Sequence, residues 1–210
     1  MHVLTILDHP NPASFSAAVA QRFMDGARAA GHSVELADLH TEGFDPRWSI
    51  REVDPDDRSV SSADVVAEQA RIARADAICL VFPLFWWGMP SMIKGWVDRV
   101  WTWGWAYDQL DDRERSLQRF RSGILLIPAG ARSDEMEAEG YLAAMETAWI
   151  KGTFGYFGLS PRRLEVLHGS TGSLKRRQAL LEKSYQVGLT LPPPRSSQDA
   201  GTAPQSCPLS

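Results

Sequence analysis

Cysteine is scarce in this sequence. Cys79 and Cys207 are the only two among 210 residues, and Cys207 lies in a polar, proline-containing C-terminal stretch. Two thiols so placed leave no disulfide framework and suit a reducing compartment. Positive charge is also in short supply. The 22 Lys and Arg residues face 26 Asp and Glu, for a formal net charge of −4. That is the wrong sign for a nucleic-acid binder that neutralises phosphates, so no nucleic-acid partner is expected. No uninterrupted apolar run reaches the roughly 18 residues of a membrane span. Met1 leads straight into His2-Val3-Leu4-Thr5-Ile6-Leu7, with no basic leader and no small-residue cleavage site, and the expected location is cytoplasmic. Neither G-x-G-x-x-G nor G-x-x-x-x-G-K-[ST] occurs, which removes the usual dinucleotide fingerprint and the P-loop. His32 and His40 lack metal-ligand spacing and read as surface residues, so no metal is expected.

What the sequence does have is tryptophan. It has eight, and Trp86, Trp87, Trp96, Trp101 and Trp103 fall within eighteen residues, followed by Trp105. Indole is a large flat surface with one polar N–H, suited to cores and to planar ligands.

Apolar runs at Val3–Leu7, Asp76–Phe82 and Ser122–Pro128 have the near-continuous hydrophobicity of strands covered on both faces. Ser33–Leu39 and Arg162–Leu167 read as two further strands. Between them lie helical patterns. Ser14 offers an N-cap to a stripe of Phe15, Val19, Phe23, Ala27 and Ala30, closed by Gly31. Ala63–Ala75 is predicted helical with Val66, Ala70 and Ala73 inward. Pro90 suits the first turn of a helix running to about Val100. Ala138–Phe157 is predicted as one helix weakened at Gly152 and Gly155, and Leu174–Val187 as the last. Strands alternating with helices imply a five-stranded parallel α/β sheet, doubly wound in three layers. One domain over residues 1–190 is expected, with a disordered tail from 191 to 210. Residues 40–61 read as an irregular connection, unusually long for a compact domain.

In such a sheet, ligands bind outside the carboxyl ends of the strands. Three loops lie there. Residues 8–16 bring Ser14, Phe15 and Ser16 to a helix N-terminus, a seat for phosphate to which the dipole contributes ~0.3–2 kcal/mol; a plain helix cap is the alternative. Residues 83–89 form a stiff aromatic loop, Pro83-Leu84-Phe85-Trp86-Trp87-Gly88-Met89, suited to stacking a planar ring system or to packing against a helix or another subunit. The third loop covers 128–141. Cys79 sits inside a strand pattern, a poor place for a reactive thiolate.

The stretch Phe82-Pro-Leu-Phe-Trp-Trp-Gly-Met-Pro-Ser-Met-Ile-Lys-Gly-Trp-Val-Asp-Arg-Val-Trp101 resembles the flavin-ring motif of the NAD(P)H:quinone oxidoreductases, the DT-diaphorase-like branch of the flavodoxin-like fold. His9 with Ser14-Phe15-Ser16 resembles that family's cofactor-phosphate loop. Asp38-Leu39 followed by Phe44-Asp45-Pro46 resembles its segment after the second strand. The resemblance spans roughly residues 2–170. It implies a flavin, FAD or alternatively FMN, held by His9, Ser14, Phe15 and Ser16 at the phosphate. Pro83, Leu84, Phe85, Trp86, Trp87, Ala129 and Gly130 would lie along its ring. It further implies a homodimer with active sites at the interface, where Trp105 and Tyr107 reach the partner's site. Trp96, Trp101 and Trp149 suit either that interface or the core.

NADPH or NADH would deliver hydride in a ping-pong cycle, and a quinone or another planar acceptor (azo, nitro or imine) would remove it. Trp87, Trp105, Tyr107 and Tyr141 are the substrate-binding candidates. This chain departs from the family after the fourth strand. Counting from Gly130, Glu135 stands where the family has a relay Tyr and Tyr141 where it has a His, which makes Tyr141 the one catalytic candidate. Arg132 is a candidate partner for a 2′-phosphate. A flavin- or nucleotide-binding regulatory subunit that senses redox state is the alternative, and a non-flavin module whose tryptophans pack a dimer is a third reading.

Overall fold

The computed structural model describes residues 1–49, 62–110, 113–116 and 122–191. Along the chain run β1 (His2–Leu7), α1 (Phe15–Ala29), β2 (Ser33–Asp38), α2 (Ala63–Ala73) and β3 (Ala77–Val81). They are followed by α3 (Ser91–Val100), β4 (Tyr107–Leu110), β5 (Arg113–Ser116) and β6 (Ser122–Ala129). Then come α4 (Ser133–Ala138), α5 (Tyr141–Met145), a π-helical segment (Glu146–Phe154), β7 (Arg162–His168) and α6 (Leu174–Leu189).

Five strands pair in parallel in the order β2-β1-β3-β6-β7. From β1 the chain adds β2 on one side and then returns to add β3 on the other, so the winding reverses between β1 and β3. A ligand crevice is expected at the carboxyl ends at that reversal. β3 and β6 are buried at every residue and β1 at all but His2, as helices on both faces require. One core layer gathers Leu4, Ile6, Leu80, Trp96, Trp101 and Phe154; the opposite layer gathers Val3, Phe23, Cys79, Leu126 and Val187. Burial raises the Cys79 thiol pKa well above its ordinary value, and the group is inert.

Helices α1 and α6 cross in that second layer through two glycines. A Cβ at Gly26 would overlap the Tyr185 carbonyl, and one at Gly188 the Phe23 carbonyl, so the backbones touch where no side chain fits.

Two expectations need correction. Helix α2 turns a different face inward: Val65, Glu68, Gln69 and Ile72 are buried, while Val66, Ala70 and Ala73 are exposed. Two polar side chains displace the apolar stripe because each finds a buried partner. Glu68 accepts from the Trp96 indole N–H at 2.9 Å, and Gln69 donates to the Val100 carbonyl at 3.0 Å. Burial pushes the Glu68 carboxyl above its ordinary pKa against the pull of Trp96 and Arg71.

The single helix over 138–157 is instead three pieces. It begins at Ser133, breaks at Gly140 in the left-handed region (φ +76°), restarts at Tyr141 and widens into the π-helical segment. Thr153 donates its hydroxyl to the Ala148 carbonyl, five residues back. The segment after Tyr107 pairs as an antiparallel hairpin, Tyr107 opposite Ser116 and Leu110 opposite Arg113. Trp96, Trp101 and Trp149, for which the core was one of two settings, are core residues, with Trp101 stacked on Phe157 at 3.8 Å.

Residues 50–61 of the long connection, Cys207 and the tail beyond Leu191 lie outside the described residues. The described part of that connection packs firmly. Pro46 sits against Gly95, where a Cβ would collide with it, and buried Arg99 lies over the Phe44 ring while pairing with Asp64 at 2.7 Å.

Candidate active site at the carboxyl ends of the strands

β1 ends in Asp8, whose side chain is buried although no charge pattern in the sequence singles it out. One of its carboxylate oxygens accepts from His40 Nε2 at 2.8 Å and the other from the Ile93 backbone N–H at 3.0 Å. A single carboxylate thus joins the loop after β1, the turn after β2 and the first turn of α3. His40 is not the idle surface residue expected of it. The missed signal is an acidic residue closing an otherwise apolar strand, which demands partners when buried.

Beyond Asp8 the chain turns through His9, Asn11 and Ser14. His9 Nδ1 accepts from the Asn11 N–H at 3.0 Å, so a neutral ring carries its proton on Nε2 and keeps that nitrogen as a donor. Ser14 caps α1, its hydroxyl accepting from the Ala17 N–H at 3.1 Å. That cap leaves the N–H groups of Phe15 and Ser16 without an acceptor among the described residues. Ser16 is buried and Phe15 half-buried.

The second loop leaves β3 at Phe82. The Leu84 N–H donates to the Pro128 carbonyl at 2.9 Å, which ties the loop to β6. Phe85 and Gly88 then exchange backbone hydrogen bonds (2.8 Å from the Gly88 N–H, 3.4 Å back) across a two-residue turn. The two residues at its tip are Trp86 and Trp87, both left-handed, at φ +47° and +58°. Asn-Gly is the usual occupant of such a turn, and non-glycine residues held there cost of order 1–3 kcal/mol each. Trp86 is 95% exposed, Phe85 55% and Trp87 44%. A turn that spends backbone strain to hold indoles in solvent has no account as core packing.

The third loop packs directly on this turn. Gly140 lets the chain restart at Tyr141, whose ring stacks on Trp87 with centroids 4.3 Å apart and planes 22° apart. Ala129 is buried and Gly130 exposed, and the loop after β7 fastens the residues on either side of Gly130: the Ser170 N–H donates to the Ala129 carbonyl and the Gly169 N–H to that of Ala131. Burial lowers the pKa of His168, at the end of β7. Arg132 is exposed and paired with Asp134 at 2.6 Å, a contact that holds the Asp134 carboxyl down to about 2. The guanidinium therefore has an acidic partner that any incoming phosphate must displace.

Trp105 and Tyr107 pack among other aromatic rings. Tyr107 meets Tyr156 edge-on at 5.1 Å and Trp103 at 5.7 Å, and Trp105 tilts against Phe157 at 6.0 Å. Both are half-buried. The fold therefore brings His9, Ser14–Ser16, Pro83–Trp87, Ala129, Gly130 and Tyr141 to one end of the sheet, while the ring contacts of Trp105 and Tyr107 are with Trp103, Tyr156 and Phe157.

Comparison with known proteins agrees with this architecture. A family model described as flavodoxin-like fold matches residues 1–187. An uncharacterized NAD(P)H oxidoreductase of Haemophilus influenzae is 31% identical over 189 residues, which cover 89% of this chain and 93% of that protein. NAD(P)H dehydrogenase [quinone] 1 of Cavia porcellus is 29% identical over 186 residues, covering 79% of this chain and 68% of that one. Among solved structures, the NAD(P)H:quinone oxidoreductase from Methanothermobacter marburgensis superposes with a TM-score of 0.83 at 31% identity, covering 90% of this chain and 98% of the other. An azoreductase, AzrA, shares the fold at 16% identity with a TM-score of 0.73. The chain belongs to the flavodoxin-like family and, within it, to the NAD(P)H:quinone oxidoreductase group.

Proposed function

We propose that this protein is a flavin-dependent NAD(P)H oxidoreductase that passes hydride by a ping-pong mechanism to a quinone or a similar planar electrophile, including azo, nitro and imine compounds. The observation that carries the reading is the solvent-facing Trp86-Trp87 turn, set at the carboxyl ends of the strands beside an α1 N-terminus with open N–H groups. These features fit a flavin. The N–H groups of Phe15 and Ser16, the Ser14 and Ser16 hydroxyls and His9 Nε2 would hold the phosphate end. Pro83 to Trp87, with Ala129 and Gly130, would line the ring. FAD is the cofactor proposed, with FMN as the alternative, and NADPH or NADH as the reductant. A flavin held there would supply the hydride chemistry that links nicotinamide to acceptor.

The chain's own residues orient and exclude. The two loops are pinned through Asp8 and Pro128, so the ring-lining residues start from a rigid frame and little ordering remains to be done on binding. Trp87 and Tyr141 form one stacked wall that admits flat molecules. The Tyr141 hydroxyl is the donor placed for an acceptor oxygen that gains negative charge. Replacing Tyr141 by Phe keeps the stack and removes only that hydroxyl. A fall in kcat of about tenfold, with KM little changed, is expected from the loss of one charge-stabilising hydrogen bond. An unchanged kcat removes Tyr141 from the chemistry. Two protomers would bring Trp105 and Tyr107 to each other's sites, and the proposed assembly is a homodimer.

The deciding experiment is anaerobic. The purified protein should be yellow, should bleach within seconds of NADPH or NADH addition, and should regain colour when a quinone is added. A protein that binds flavin but resists reduction would be a sensor or regulatory subunit. One that stays colourless after flavin addition would leave the tryptophans a packing role only.

A further inference from the structure

We infer that the reductant of this site is NADH rather than NADPH, because Asp134 disarms the one cation of the site loops that a 2′-phosphate could pair with; the inference rests on the oxidoreductase reading above. The three loops, residues 8–16, 83–89 and 128–141, carry a single lysine or arginine, Arg132. It stands two residues beyond Gly130, on the loop that carries Tyr141. Its guanidinium is forked onto one carboxylate. Nε donates to Asp134 Oδ1 at 3.0 Å and Nη2 to Oδ2 at 2.6 Å, while a Glu135 oxygen lies 3.7 Å from Nε. A phosphate would need that same bidentate edge. One guanidinium between two carboxylates also leaves the group net negative.

An exposed ion pair holds weakly and can exchange partners. The charge around it cannot be exchanged away. Of the 22 basic and 26 acidic residues, the stretch 129–146 holds one and five, which leaves 21 of each sign elsewhere. The chain's whole excess of negative charge thus sits on the loop beside the site. Asp134, Glu135, Glu137 and Glu139 are all exposed. Glu137 and Glu139 make no ion pair among the described residues. They stand at the carboxyl end of α4, where carboxylates oppose the helix dipole and no basic residue offsets them, so helix stability gives no account of them. Glu139 lies two residues before Tyr141, no more than about 7 Å along the backbone. That is within the roughly 8 Å screening length at physiological salt. NADPH differs from NADH by one phosphate carrying about −1.5 to −2 charge near pH 7, and the loop opposes that group alone. With its carboxyl held down to about 2 by Arg132, Asp134 stays ionised at any working pH, so the preference does not switch with pH.

The flavin-loaded, full-length protein is assayed with NADH and with NADPH against a naphthoquinone. The variants are Asp134→Asn, the double variant Asp134→Asn with Glu135→Gln, and a triple variant that adds Arg132→Ala. Wild type should show kcat/KM about tenfold higher for NADH at low salt, carried by KM, and the gap should narrow as salt is raised. Freeing Arg132 in the double variant should raise kcat/KM for NADPH about tenfold and leave NADH within about twofold. Asp134→Asn alone should lie between, and the triple variant should lose the gain. Glu137→Gln with Glu139→Gln changes the field without touching Arg132, and should help NADPH by a smaller factor and only at low salt. Calorimetric titration with NAD+ and NADP+ should give the same ranking without turnover. A wild type that uses NADPH as well as NADH would overturn the proposal. So would a double variant with no gain toward NADPH, or a triple variant that keeps it. A wild type whose flavin neither nicotinamide reduces would instead overturn the oxidoreductase reading itself.

Discussion

Replacing Asp8 by alanine should destabilise the protein by about 2–4 kcal/mol and weaken flavin binding together, although Asp8 is expected to touch neither ring nor phosphate. The stability loss follows from burial. The Ile93 N–H loses its acceptor in a dry environment, and His40 loses the carboxylate that holds it. The binding loss follows from geometry, because the carboxylate is the common anchor of the loop after β1, the turn after β2 and the start of α3. Asp8→Asn keeps an acceptor for one of the two bonds and should lie between wild type and alanine. His40→Gln keeps a neutral donor and should cost less than about 1 kcal/mol. Chemical denaturation followed by flavin titration of the folded fraction separates the two effects. If alanine lowers stability but leaves affinity untouched, Asp8 is a structural residue and the coupling of the loops is wrong.

A second large effect is expected where α1 and α6 cross. On an exposed helix, Gly→Ala stabilises by about 1 kcal/mol through helix propensity. At Gly188 the sign should reverse. The new methyl would occupy the space of the Phe23 carbonyl, so the helices must part or the chain must unwind, at a cost of about 3 kcal/mol. Gly26→Ala should do the same against Tyr185, and the double variant should cost less than the sum, because helices already parted accommodate the second methyl. Thermal and urea unfolding of the three variants measure this, and stabilisation in either single variant would deny the close crossing.

The frame of the fold was legible for a simple reason. β1, β3 and β6 are covered on both faces, and a short continuous apolar run such as Ala77–Val81 is what a strand buried on both sides requires. Helix α1 was legible because cap, stripe and closing glycine agree. Helix α2 was misread on its inward face because the partners that make Glu68 and Gln69 tolerable, Trp96 and Val100, lie 28 and 31 residues further on. The break at Gly140 and the π-helical turn were hidden because Ala138–Phe157 holds three glycines, at 140, 152 and 155, and composition does not say at which of them the chain will break. The three loops of the site were found by applying the strand-end rule to aromatic and hydroxyl residues. Asp8 and His40 escaped because their pairing joins distant loops, which periodicity cannot report. The left-handed pair Trp86-Trp87 escaped because indoles carry no statistical mark of that conformation.

That tip also limits how the mouth of the site can be re-engineered. A random library at positions 86 and 87 would be mostly unusable, since β-branched residues resist positive φ and would unseat the hairpin before any new acceptor was sampled. Glycine, asparagine, aspartate and histidine are the tolerant alphabet. Selection for a bulkier dye would therefore be drawn to Phe85 and Tyr141, on either side of the tip, where backbone conformation imposes no such filter.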